Sequence, residues 1–140
     1  MAFPTIPTAA ATRIISALQS DTTATRTFPS LTGLTKSSGD LLIAIVFAYQ
    51  TNATADQAFS GWTGGFTEFG DRSSSTTTAI GMAYKWSTGS ETGTFAVTQA
   101  ATITGNAVMI VMAIPGAHAS TPPEAGTKTD GTTAAADIAA

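Results

Sequence analysis

The feature that most constrains the fold is an uninterrupted apolar run over residues 41–49, which follows the turn-forming pair Gly39-Asp40. A strand places alternate side chains on opposite faces. Such a run is typical of a strand covered on both faces, and it is shorter than the roughly 20 residues that span a bilayer. We therefore predict a buried central strand on which the other strands are arranged. Both alternating sets are apolar: Leu41, Ile43, Ile45, Phe47 and Tyr49 on one face, Leu42, Ala44, Val46 and Ala48 on the other.

The remaining sequence contains six further segments typical of strands, separated by turns rich in Gly, Ser and Thr. The first is also compatible with a single helical turn, and a strand is the favoured interpretation. The last is apolar on both alternating faces, so it too is predicted to be buried on both sides. Between the strands, residues 51–65 are predicted to form a loop and residues 71–75 a turn. The six segments cover residues 13–20, 23–28, 65–70, 76–86, 94–99 and 107–114.

The clearest alternation in the chain lies in residues 76–86. Because side chains alternate along a strand, this segment has one face of large residues and one face of mostly small residues. The large set is Ile80, Met82, Tyr84 and Trp86, and the small set is Ala79, Gly81 and Ala83, followed by Lys85.

Seven strands and no convincing helix predict an all-β fold, an antiparallel β-sandwich with a jelly-roll-like arrangement. Residues 13–120 are predicted to form this domain. Residues 1–12 hold Pro4 and Pro7 and are read as an extended N-terminal arm, with a frayed end as the equal alternative. Residues 121–140 have almost no apolar side chain larger than alanine and are predicted to be a low-complexity tail or arm.

The surface chemistry excludes several classes of partner. Only 11% of the 140 residues are charged, against about 25% in an ordinary domain, and the net charge is −3. No two of the six Lys and Arg residues are adjacent, so there is no basic stripe for nucleic acid. The chain has no cysteine, which excludes disulfides and thiolate metal ligands. The first residues lack the features of a signal peptide, so we expect synthesis in the cytoplasm and no membrane partner.

No group of residues indicates a reaction. His118 is the only histidine, and no nucleophile-elbow motif accompanies it. Glu68 and Asp71 form the nearest carboxylate pair, but they lie at a glycine-flanked turn where such residues commonly bind backbone amides. Asp40 and Asp56 do not belong to a calcium-loop pattern. We therefore predict no enzyme, no catalytic residue, no cofactor and no metal.

Three aromatic residues allow two interpretations. Trp62, with Phe59 and Phe66 nearby in the sequence, is compatible with a platform on which a sugar ring stacks. Aromatic side chains also close the open end of a β-sandwich, and this structural interpretation is favoured. A small-molecule ligand is not expected.

Several short motifs, taken in order, resemble those of a family of β-sandwich proteins encoded by tailed bacteriophages and prophages. The resemblance extends over about residues 20–116, and each motif alone has little specificity. It assigns them structural roles: a turn into the core strand, a tryptophan at one end of the sandwich, and a hairpin turn at the Gly-Ser-Glu segment. The motifs are Gly39-Asp40-Leu41-Leu42, Gly61-Trp62-Thr63, Tyr84-Lys85-Trp86-Ser87-Thr88-Gly89-Ser90-Glu91, Gly93-Thr94-Phe95 and the apolar strand 107–114.

The resemblance implies a virion structural protein. We expect a capsid decoration, or cement, protein on the capsid surface, made in the host cytoplasm. Its expected partners are the major capsid protein and copies of itself in a homo-oligomer. The alternatives are a tail or baseplate component and a carbohydrate-binding β-sandwich module. The residues expected to contact a partner are Phe3, Pro4, Ile6, Pro7 and Trp62.

Overall fold

The computed structural model describes residues 13–16, 19–21, 24–50, 59–74, 78–99, 105–117 and 122–123. These residues form nine strands and one turn of 3-10 helix, Leu31–Gly33. The prediction of an all-β fold is confirmed. The strands are β1 (Arg13–Ile15), β2 (Gln19–Asp21), β3 (Thr25–Thr27), β4 (Ser38–Gln50), β5 (Phe59–Ser60), β6 (Thr67–Ser74), β7 (Thr78–Thr88), β8 (Ala96–Gln99) and β9 (Gly105–Ile114).

The strands form two antiparallel sheets. The larger has the order β1-β9-β4-β7-β6, with β2 also paired to β9, and we call it the large sheet. The smaller has the order β3-β8-β5, and we call it the small sheet. From β2 onward, the described strands alternate between the two sheets at every step except β6 to β7.

Strand β4 is the centre of the large sheet, as the apolar run predicts. It pairs with β7 on one side and with β9 on the other, and each ladder continues along nearly the whole strand. A tight turn precedes the apolar run. The Ser37 N–H donates to Asp40 Oδ2 at 2.7 Å. Gly39 has φ +90°, which an L side chain rarely adopts, so the turn requires glycine here.

One core lies between the sheets. One face of the large sheet lies against this core, and we call it the inner face. Most of its residues are small, for example Ala44, Ala79 and Ala83. Large aromatic side chains fill the opposite side of the core, where the rings of Phe28 and Phe95 stack with centroids 4.3 Å apart. The small face of β7 is therefore the buried one, because the aromatic residues opposite need its space.

Gly81 shows how closely the sheets approach. A Cβ atom built on Gly81 would lie 2.6 Å from Cδ2 of Phe59. Real Cβ atoms do not come this close, so the ring of Phe59 occupies the place of a side chain on β7. This contact joins β5 of the small sheet to β7 of the large one.

Three segment predictions need correction. The segment 13–20 is a strand in part: β1 and β2 both pair with β9, and between them Ser16 bonds the Met109 backbone through its own N–H and its hydroxyl. The predicted loop 51–65 contains β5, because Phe59 enters the core. The predicted turn 71–75 is wrong over residues 71–74, where β6 continues past an irregularity between Glu68 and Gly70. Polar residues are well tolerated there because β6 ends the order of the described large sheet.

Candidate functional site

Trp62 is the one predicted contact residue that the structure describes. Its side chain is half-buried and packs against the core, with its ring centroid 5.6 Å from that of Phe28. The indole N–H donates to Glu68 Oε2 at 3.0 Å. The ring therefore belongs to the margin of the core, which favours the structural interpretation over the sugar platform. The other candidates, Phe3, Pro4, Ile6 and Pro7, lie outside the described residues.

The aromatic platform for a sugar is not formed. Phe59 and Phe66 are both buried in the core, and Phe66 stacks on Phe95 with ring centroids 4.2 Å apart. Among the three, only Trp62 is more than 5% exposed. Its indole N–H, which could otherwise bind a hydroxyl group, is engaged by Glu68.

Glu68 and Asp71, the nearest carboxylate pair in the sequence, both belong to β6. Glu68 receives the Trp62 indole N–H, and it lies opposite Ala83 in the β6–β7 ladder. Asp71 lies opposite Gly81 in the same ladder. His118 and Asp56 fall outside the described residues.

A densely hydrogen-bonded polar group is the carboxylate of Glu91, in the loop after β7. It accepts hydrogen bonds from the Thr88 N–H at 2.6 Å, the Thr88 hydroxyl at 3.1 Å and the Ser87 hydroxyl at 2.9 Å. The Lys85 ammonium lies 3.7 Å away and also donates to the Gly64 carbonyl. Burial raises the pKa of Glu91, but the hydrogen bonds outweigh it and lower the pKa to about 2.

This loop is not the hairpin turn that the Gly-Ser-Glu motif suggested. Strand β7 belongs to the large sheet and β8 to the small sheet, so the loop carries the chain across the sandwich. Gly89, with φ +85°, passes so close to Ser38 that an added Cβ would lie 3.0 Å from its backbone nitrogen. The motif therefore fixes a crossover between sheets.

One buried polar pair was missed by the sequence reasoning. Arg26 on β3 and Gln99 on β8 are both fully buried. The Arg26 Nε–H donates a hydrogen bond to Gln99 Oε1, with the nitrogen and oxygen 3.5 Å apart. The alternation of side chains along β3 could have predicted the burial of Arg26, because Arg26 lies on the same face as Phe28. A strand that buries Phe28 must also direct Arg26 inward.

A further candidate site is the second face of the large sheet, which we call the outer face. It consists of the odd-numbered positions of residues 41–49 on β4 and the even-numbered positions of residues 80–86 on β7 and 108–114 on β9. From residue 41 to residue 47 of β4, the ladders align these positions in apolar rows across three strands, whereas Tyr49 lies between Thr78 and Asn106. Phe47 lies between Ile80 and Val108, and Ile45 lies between Met82 and Ile110.

Exposure of the outer face changes along β4. Leu41 and Ile43 are 9% exposed, whereas Phe47 is 41% and Tyr49 is 52% exposed. On the neighbouring strands, Ile80 is 37% exposed, and the outer positions of β9 are half-buried. The prediction that strands 41–49 and 107–114 are buried on both faces is therefore wrong at this end of the sheet.

A cleft lies at the exposed end of the outer face. Its volume is about 410 Å³. Phe47, Tyr49, Ile80 and Val108 contribute apolar walls, and Asn106 and Thr78 supply the polar side chains. Such a lining can hold an apolar group, and it offers no charged residue for catalysis.

Within the described ranges, no cluster of three or more metal-ligating residues is present. No helix in this part of the chain is long and apolar enough to cross a membrane. No family model, no curated protein and no solved structure matches the chain.

Proposed function

We propose that the chain is a virion structural protein of a tailed phage, most specifically a capsid decoration protein that stabilises the head shell. In this role it lies on the capsid surface and binds the major capsid protein and copies of itself. The observation that carries the proposal is the outer face: a rigid sheet with apolar, uncharged rows directed away from the core. A contiguous apolar surface of this kind is typical of a protein that works within an assembly.

The sparse charge supports the same role. With 11% charged residues, the chain has few groups that would be desolvated at cost when neighbouring subunits cover it. The motifs that resemble phage sandwich proteins have structural positions here. Asp40 accepts a hydrogen bond in the turn before the apolar run, Trp62 packs against the core, and Glu91 fixes a crossover.

We also propose that the sandwich is a jelly-roll variant. In a jelly roll, two Greek keys wind the chain between two sheets. The described strands follow this winding from β2 to β9, with one departure at β6. Strand β6 pairs with β7 in the large sheet, so the chain does not cross between the sheets at that step.

The test of the function is binding to undecorated capsids. The full chain and a version lacking residues 1–12 and 121–140 are added at matched concentration, and occupancy is measured by quantitative gel densitometry of purified particles. Our proposal expects the full chain to bind at hundreds of copies per particle, a copy number on the order of the shell subunits, with much lower occupancy for the shortened version. Ordering a chain segment costs about 1–2 kcal/mol per residue in conformational entropy, so an arm anchors the protein only where a partner supplies contacts.

Two controls make the result interpretable. Circular dichroism establishes whether the shortened version keeps its strand signal. Purified tails are tested beside the capsids, since binding to tails alone would favour the alternative of a tail or baseplate component. Equal occupancy of both versions would keep the decoration role but remove the arms as anchors.

A further inference from the structure

We draw no further inference here: the strongest candidate, the apolar cleft of about 410 Å³ at the exposed end of the outer face between Phe47, Ile80 and Val108, carries none, because nothing in the described part of the structure shows what covers it.

Discussion

The inner and outer faces of the large sheet are made by the same three strands and are both apolar, but they differ in exposure and, on β7, in side-chain size. On β7 the inner face holds Ala79, Gly81 and Ala83, and the outer face holds the bulky residues of the strand. The inner face is buried although its residues are small, because Phe59 and other rings of the opposite layer fill the space above it. On β7 the outer face carries larger side chains than the inner face, and it is more exposed. Residue size on a strand therefore does not decide which face is inside; the residues across the core decide it.

The largest effect should come from removing a ring that fills the space above the inner face. Phe59→Ala deletes a buried ring whose atoms contact Gly81, and we expect a loss of about 3–5 kcal/mol in the free energy of unfolding. Phe47→Ala removes the same ring from the outer face and should cost less than about 1 kcal/mol in the monomer. Urea denaturation measures both. Equal losses would show that the outer face is also part of the folding core.

The second prediction adds an atom to the inner face. Gly81→Ala places a methyl group against the Phe59 ring and should cost up to about 3 kcal/mol. Gly33→Ala is the matched control, since an added Cβ there meets nothing within 4 Å. Combining Gly81→Ala with Phe59→Leu should recover part of the loss, because the two changes act on one space. Additive losses would contradict the contact.

The third prediction concerns the loop that carries the chain from one sheet to the other. Glu91→Gln removes the charged acceptor of the Ser87 and Thr88 donors, and we expect a loss of about 2 kcal/mol at pH 7. The folded pKa of about 2 lies below the ordinary value of 4.5, so the contribution is complete above pH 4.5. It is lost as the pH falls toward 2.

Denaturation midpoints of wild type and Glu91→Gln at several pH values measure this contribution. The two proteins should converge in acid. Glu68→Gln, on an exposed carboxylate that binds the Trp62 indole, is the comparison and should change stability less. A gap that stays constant between pH 7 and pH 2 would show that the Glu91 charge contributes nothing to the crossover.

The main strands of the large sheet could be predicted from the sequence because alternation and apolar runs are local signals. Strands β4, β7 and β9 are all found where the pattern indicates them. Strand β5 could not be predicted, because two residues carry no period and Phe59 is defined only by its partner across the core. The same limit applies to the two faces of β7, since alternation separates them without saying which one another layer covers.

The candidate site was less accessible to sequence reasoning than the fold. Trp62 was identified as an end of the sandwich, and its position against the core agrees with that interpretation. The exposure of the outer face was missed because an apolar run looks the same whether its second face is covered or exposed. Only the exposure of Phe47, Tyr49 and Ile80 distinguishes the two cases.

The central claim is that the inner face holds the fold together while the outer face is left for association, and one pair of variants tests it most directly. Val111 is fully buried on the inner face of β9, and Val108 is half-buried on the outer face of the same strand. Val111→Thr places a hydroxyl in the core, whereas the hydroxyl of Val108→Thr can reach water.

The free energy of unfolding of both variants is measured at a protein concentration where the chain is monomeric. We expect Val111→Thr to lose about 1.5 kcal/mol more than Val108→Thr. Equal losses, or a larger loss for Val108→Thr, would contradict the account.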